Sequence, residues 1–231
     1  MKVGLLLCDH VRPEFRDEFG DYPAIFQRAW STFDFEVFAV CDGQFPSSVD
    51  ICDAYIATGS SHSVYEELDW IIQLQQFIRD IHQSEKYFLG VCFGHQLLAA
   101  ALGGEVKKAQ SGWSVGIQTF TISQQEAWMD PFQPQLNLLM MCQDQVHVLP
   151  PNATVLASTP ACPVGIFRVG QRMLGVQAHP EFSKAYDQLL METRIDRMGA
   201  KTVEQGVASL SLPLDAEKFI QWTLRFLSAL D

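Results

Sequence analysis

Three short stretches early in the chain, Val3–Cys8, Ala54–Thr58 and Tyr87–Val91, are apolar along nearly their whole length instead of at every second position. A strand with one wet face alternates; a strand covered on both faces does not. These runs therefore predict parallel strands sandwiched between helices. A further strand is expected at Phe35–Val40, stopped by Asp42-Gly43, and a helix at Tyr22–Ser31 after a polar loop over Asp9–Asp21. A long amphipathic helix is predicted from Val64 to Gln83, capped by Ser63, with Leu68, Ile71, Ile72, Leu74, Phe77, Ile78 and Ile81 on its apolar face. Another helix follows from Gly94 to Leu102, ended by Gly103-Gly104.

Beyond Gly104 the rhythm changes. Strand-like segments at Glu105–Lys108, Val115–Ile122, Leu138–Cys142, Thr154–Ala157, Val164–Val169 and Met173–Gln177 follow with turn residues between them, and helices at Ser183–Glu204 and Asp215–Leu230 complete the chain. The fold class predicted is α/β: a mostly parallel central sheet with helices on both faces, plus a small antiparallel extension. With 231 residues and no linker or repeat, residues 1–231 are expected to form one domain.

The most informative segment is Gly90-Val91-Cys92-Phe93-Gly94, which joins the Tyr87–Val91 strand to a helix. A nucleophile on a tight strand-to-helix turn needs small neighbours, and Gly90 and Gly94 supply them. Its side chain then stands above the carboxyl edge of the sheet. The following helix aims its positive end at the sulfur, favouring thiolate, and leaves the Phe93 amide free to hold an oxyanion. An isolated free cysteine is more often a small core residue. The glycine flanks set Cys92 apart from Cys8, Cys41, Cys52, Cys142 and Cys162, which are read as core thiols.

A thiol nucleophile requires a base, and the base a third group to orient it. His179 follows the apolar run at Met173–Gln177, which places it at the same sheet edge, with Pro180 ending the ladder. Glu181 stands two residues on, within reach of the imidazole. The order Cys, His, Glu, with the last two almost adjacent, departs from the nucleophile–acid–base order of α/β-hydrolases.

At these residues the chain resembles the class I, triad-type glutamine amidotransferases, and among them stand-alone proteins similar to the glutaminase domain of GMP synthase. The resemblance rests on Gly-Val-Cys-Phe-Gly-His-Gln at 90–96, Gly-Val-Gln-Ala-His-Pro-Glu-Phe at 175–182, and more loosely on Thr58–Tyr65 and Gln143–Val146. It implies a flavodoxin-like three-layer fold, Cys92 as nucleophile, His179 as base and Glu181 as its orienter. It also implies oxyanion donors at Phe93 and Ser60, and substrate contacts at Gln96, Gly59, Gln143 and Asp144. The sequence departs from the family pattern at Ser60, where Gly is common, and at Cys142, where His is common.

The implied chemistry is thiolate attack on the γ-carbonyl of glutamine or a γ-glutamyl compound. Three readings follow: a glutaminase feeding ammonia to an acceptor or synthetase partner, a γ-glutamyl peptidase using the same triad, and a non-catalytic regulatory version of the fold. His95 is read as structural, one helical step of about 100° from Gln96. The remaining histidines lack ligand spacing, so no metal is expected, and the absence of a Gly-rich phosphate loop argues for no cofactor. Trp113 and Trp128 are read as packing residues. A formal net charge of −11, from 16 basic and 27 acidic residues, speaks against nucleic acid and anionic membranes as partners. Scattered cysteines and the lack of a long apolar run point to a cytoplasmic location.

Overall fold

The computed structural model describes residues 1–228. In chain order the elements are β1 (Lys2–Leu6), α1 (Pro13–Phe19), α2 (Tyr22–Ala29), β2 (Asp34–Phe38), β3 (Ala54–Ala57), α3 (Asp69–Gln83), β4 (Tyr87–Val91) and α4 (Phe93–Ala101). Then come β5 (Glu105–Lys108), β6 (Ser114–Ile122), β7 (Gln135–Cys142), β8 (Asp144–Val148), β9 (Ala153–Thr159), β10 (Cys162–Val169) and β11 (Met173–Val176). Helices α5 (Lys184–Glu192), α6 (Ile195–Met198), α7 (Ala200–Ser209) and α8 (Ala216–Leu227) follow.

One sheet of nine strands runs in the order β2-β1-β3-β4-β11-β10-β9-β6-β7, and β5 pairs with β8 in a separate ribbon. The first five strands of that order are parallel, and from β11 to β7 each neighbour is antiparallel. The architecture is the expected α/β class. Side chains of β1, β3 and β4 alternate between two cores, as the period of two requires. Val3, Leu5, Ala54, Ile56, Leu89 and Val91 meet Phe26 of α2 and Phe219, Trp222 and Phe226 of α8. Leu6, Tyr55, Ala57 and Phe88 face the opposite way, toward Ile71, Leu74 and Ile78 of α3 and Leu97 and Leu98 of α4. Helices thus cover both faces, which explains the unbroken apolar runs. No helix among the described residues is long and apolar enough to cross a membrane.

The structure corrects four expectations. The polar segment at Asp9–Asp21 contains α1, started by Pro13 at its first turn; the helix buries no residue, so it leaves no apolar period to read. Helix α3 begins at Asp69, not Val64, because Ser63 is not its cap: its hydroxyl donates to Asp144 Oδ2 at 2.6 Å and its amide to Glu66 Oε1 at 2.7 Å. The segment Ser183–Glu204 is three helices, broken after Glu192 and again at Gly199, whose φ of 85° suits glycine. Asp144–Val148 is a strand that the sequence pattern does not announce, paired to β5. The predicted end of the last helix at Leu230 lies outside the described residues.

Candidate active site

Because β1, β3, β4 and β11 are parallel, their carboxyl ends share one edge of the sheet. Val91 of β4 lies opposite Val176 of β11, and Ala57 of β3 opposite Gly90. That register sends the residues just past β3, β4 and β11 to one place: Gly59, Cys92 and His179.

Cys92 caps α4 with φ 51° and ψ −98°, a left-handed conformation rare for a residue with a β-carbon and costing about 1–3 kcal/mol. Its amide is tied to Val176 O at 2.8 Å. The flanking glycines are sterically required: a Cβ on Gly90 would overlap the Gly94 carbonyl, and one on Gly94 would come within 2.6 Å of Ala57 O. The bend therefore exists because both neighbours lack side chains. Cys92 is 5% exposed, and the Phe93 amide opens the helix with no protein acceptor among the described residues.

His179 is anchored through its amide to Leu139 O at 2.8 Å, and its ring stacks on Phe182 with centroids 4.0 Å apart. Nδ1 lies 2.8 Å from Glu181 Oε1, leaving Nε2 for the sulfur side. A Cβ placed on Gly59 would sit 2.9 Å from His179 Cε1 and 3.7 Å from Cys92 Cβ, so one small volume touches both residues. Burial alone would lower the imidazole pKa. The charge of Cys92 and then that of Glu181 outweigh it, with hydrogen bonding to both, and push His179 up to about 10. The shift ties the imidazole to both of its neighbours, the sulfur of Cys92 and the carboxylate of Glu181.

Gln96 donates to Asp144 O at 2.7 Å and to Gln177 Oε1 at 3.2 Å, while Gln177 Nε2 points at Cys92 Sγ from 3.6 Å. Gln177 lies inside the motif at 175–182 without a role assigned to it there, and the strand period places it two residues before His179 on the same side. The Asp144 carboxylate accepts from Ser63 Oγ at 2.6 Å and Tyr65 OH at 3.2 Å. Gln143 is held by Lys108 Nζ at 3.2 Å.

Two recesses share Cys92, Ser60, Ser61, Met141, Arg194 and Arg197. The smaller, about 80 Å³, adds Gln96, Cys142, Gln143 and Asp144. The larger, about 190 Å³, adds His179, Phe182, Arg12, Tyr22 and Tyr186. The structure thus brings Cys92, His179, Ser60, Gln96, Gln143 and Asp144 to one cleft, with Gly59 against the imidazole and Glu181 behind it. The arginines go unmarked in the sequence, since helix α6 carries no pattern that would point to them.

His95 is fully buried and packs edge-on to Phe167; burial, against weaker help from the backbone of Gly175 and Val164, pushes it down to about 3, so it serves the core as a neutral ring. Cys142 and Cys162 are buried near Cys92, and burial, reinforced by the Cys92 charge, raises both thiols, Cys162 to about 12. His10, Cys41 and Asp42 come together within 4.8 Å, but both ring nitrogens of His10 are taken by carboxylates, Asp21 at 2.7 Å and Asp42 at 3.0 Å. Trp128 packs on Trp222 and Phe226, and Trp113, packed against the same core, also lines the smaller recess with Arg197 over its ring.

Comparison with known proteins locates this geometry. The family described as glutamine amidotransferase class-I matches residues 53–195. γ-Glutamyl peptidase 3 of Arabidopsis thaliana is 33% identical over 215 residues, covering 88% of this chain and 84% of its own. One chain of the glutamine-hydrolysing GMP synthase of Sulfolobus acidocaldarius is 30% identical over 130 residues, 56% of this chain and 67% of that one. Among solved structures, a glutamine amidotransferase from Thermotoga maritima superposes with a TM-score of 0.74 at 22% identity, over 97% of this chain and 96% of the other.

Proposed function

The chain belongs to the class-I glutamine amidotransferase family, a family of hydrolytic enzymes, and from that premise we propose that it cleaves γ-glutamyl amide bonds through a thioester on Cys92, with γ-glutamyl peptides as substrates. The observation that carries the proposal is the convergence of the Cys92 sulfur, the His179 imidazole and the Glu181 carboxylate at one sheet edge.

The Cys92 thiolate attacks the γ-carbonyl carbon, and the carbonyl electron pair moves onto oxygen. The amides of Phe93 and Ser60 hold that oxyanion, each such donor being worth about 2.7–4 kcal/mol. The tetrahedral intermediate collapses with cleavage of the C–N bond as His179 protonates the departing amine, leaving a γ-glutamyl thioester. Water, deprotonated by His179, then attacks the thioester and returns the thiolate. Glu181 holds the imidazole in the tautomer both steps need. Gln96, Asp144 and Gln143 line the recess suited to the α-amino and carboxyl end of the γ-glutamyl group, with Asp144 offering charge to the ammonium.

The leaving-group side favours a peptide over free glutamine. Ammonia needs only about 15–30 Å³, the room of one water; the recess that contains His179 measures about 190 Å³. The four curated relatives from Arabidopsis thaliana that share 32–33% identity with this chain are γ-glutamyl peptidases, which points the same way. The kinship with the Sulfolobus acidocaldarius GMP synthase chain supports a second reading, hydrolysis of free glutamine with ammonia passed to an acceptor or synthetase partner. Incubating the purified protein with glutamine and with γ-glutamyl dipeptides, and measuring ammonia and free glutamate beside a Cys92→Ala control, separates them. Cys92-dependent glutamate release from dipeptides is expected; release from glutamine alone would transfer the proposal to the second reading.

A further inference from the structure

Arg12, Arg194 and Arg197 all line the larger recess, the one that contains His179. Three guanidinium groups gathered in a chain of net charge −11 call for an explanation. Each of the other arginines has a partner: Arg16, Arg168 and Arg225 meet Asp21, Glu126 and Asp130, and Arg28, Arg79 and Arg172 donate to the backbone carbonyls of Phe19, Ala101 and Glu85. Arg12, Arg194 and Arg197 have neither an ion pair nor a side-chain hydrogen bond among the described residues, and Asp187 acts on Arg194 only from beyond ion-pair distance. Arg194 is the most exacting of them, because its Nε is buried and without a hydrogen-bond partner, and a buried unmet donor costs about 1–3 kcal/mol. Burial pulls its pKa down, Arg12 and Arg197 push the same way, and Tyr22 and Tyr186 oppose them. Arg197 is held over the Trp113 ring at 5.7 Å, which fixes its side chain without neutralising it. The one carboxylate lining the recess, Asp9, is occupied elsewhere, accepting the amides of His10 at 2.8 Å and Ser61 at 2.7 Å.

Location decides what these cations are for. The amine expelled from the tetrahedral intermediate must sit within proton-transfer reach of His179, so the leaving group occupies the recess that His179 lines. The γ-glutamyl end lies on the other side of the sulfur, with Gln96 and Asp144. Arg12 lines the leaving-group recess alone, and Arg194 and Arg197 stand where the two recesses meet. Arginine's planar fork suits a carboxylate through paired hydrogen bonds.

We infer that Arg12, Arg194 and Arg197 form a carboxylate-binding subsite for the leaving group, so that the preferred substrate is a γ-glutamyl peptide whose departing residue carries a free carboxylate. This rests on the peptidase reading above and narrows it to acidic-ended leaving groups. An amide or ammonia leaving group would leave the three cations without a partner.

The test compares γ-glutamylglycine with γ-glutamylglycinamide, which differ only in that carboxylate, on the wild type and on Arg12→Gln and Arg194→Gln. The wild type should favour the acid in kcat/KM by about tenfold or more, the size of one charged hydrogen bond. Each substitution should shrink that ratio toward one. Because both substrates meet the same protein sample, a folding defect in Arg194→Gln cancels in the ratio, and Arg12 is exposed enough to be replaced without disturbing the core. A wild-type ratio near one overturns the inference while leaving the peptidase reading intact. So does a ratio unchanged by both substitutions, or equal losses on both substrates, which would assign the arginines to the γ-glutamyl end. Failure to cleave either compound while hydrolysing glutamine would remove the peptidase reading and the subsite together.

Discussion

Gly59 is the position where a single methyl group should damage catalysis with the least damage to the fold. It is not among the glycines with positive φ, so alanine meets no backbone strain there. The obstacle is His179: the new Cβ would lie 2.9 Å from Cε1. Carbon atoms rest at about 3.5–4.0 Å, so the imidazole or the loop must give way by about 0.6–1 Å. If the ring moves, its alignment with Cys92 is lost, and displacements of this size cost about 100-fold. If the loop moves, the Ser60 amide leaves the oxyanion position, at a cost of about 10²–10³-fold. Either route gives Gly59→Ala a fall in kcat of about two orders of magnitude, whereas overpacking of this kind destabilises by only about 1–3 kcal/mol. Steady-state kinetics on a γ-glutamyl dipeptide, paired with urea unfolding, would measure both. Full activity in a folded Gly59→Ala protein would refute the placement of His179 against this loop, and with it the triad geometry.

Two further substitutions probe the electrostatics. Cys92→Ala removes the strongest influence holding a proton on His179, so the imidazole should titrate well below the value of about 10 that it has beside the sulfur, as followed by NMR of the ring; an unchanged titration would mean that the two side chains are not paired. Asp187 is fully buried, and burial raises its pKa to about 7, with His179, Arg194 and the Gly116 backbone opposing. A carboxyl whose folded pKa exceeds its unfolded value loses stability as pH rises from about 4 through about 7, by at most on the order of 4 kcal/mol. Asp187→Asn should therefore gain on the wild type between about pH 4.5 and about pH 8 in urea midpoints, and parallel profiles would contradict this.

What the sequence reveals and what it conceals follow from the range of each constraint. The bend at Cys92 is legible because the sequence carries glycine on both flanks, Gly90 to clear the Gly94 carbonyl within the bend and Gly94 to clear Ala57 on the neighbouring strand. The parallel core is legible because Val3–Cys8 and Tyr87–Val91 are apolar on two faces. Ser63 misleads because a hydroxyl before an apolar run reads as a helix cap, and only the fold brings Asp144, 81 positions away, to take it. The helix α1 is invisible because it buries nothing, and β8 because its strand is half exposed. The arginines of the larger recess are invisible for another reason. The breaks flanking α6, at Thr193 and Gly199, turn Arg194 and Arg197 toward the cleft, and nothing in a helical period announces a helix of four residues.

The central claim is that the γ-glutamyl group passes through the sulfur of Cys92. Acid quenching during turnover of a γ-glutamyl dipeptide, followed by proteolysis and mass spectrometry, reads this directly. The account predicts a γ-glutamyl adduct on the peptide containing Cys92, removed by hydroxylamine and absent from an inactive Cys92→Ala protein. Undiminished turnover in Cys92→Ala, or an adduct carried by Cys142 or Cys162 instead, would contradict it.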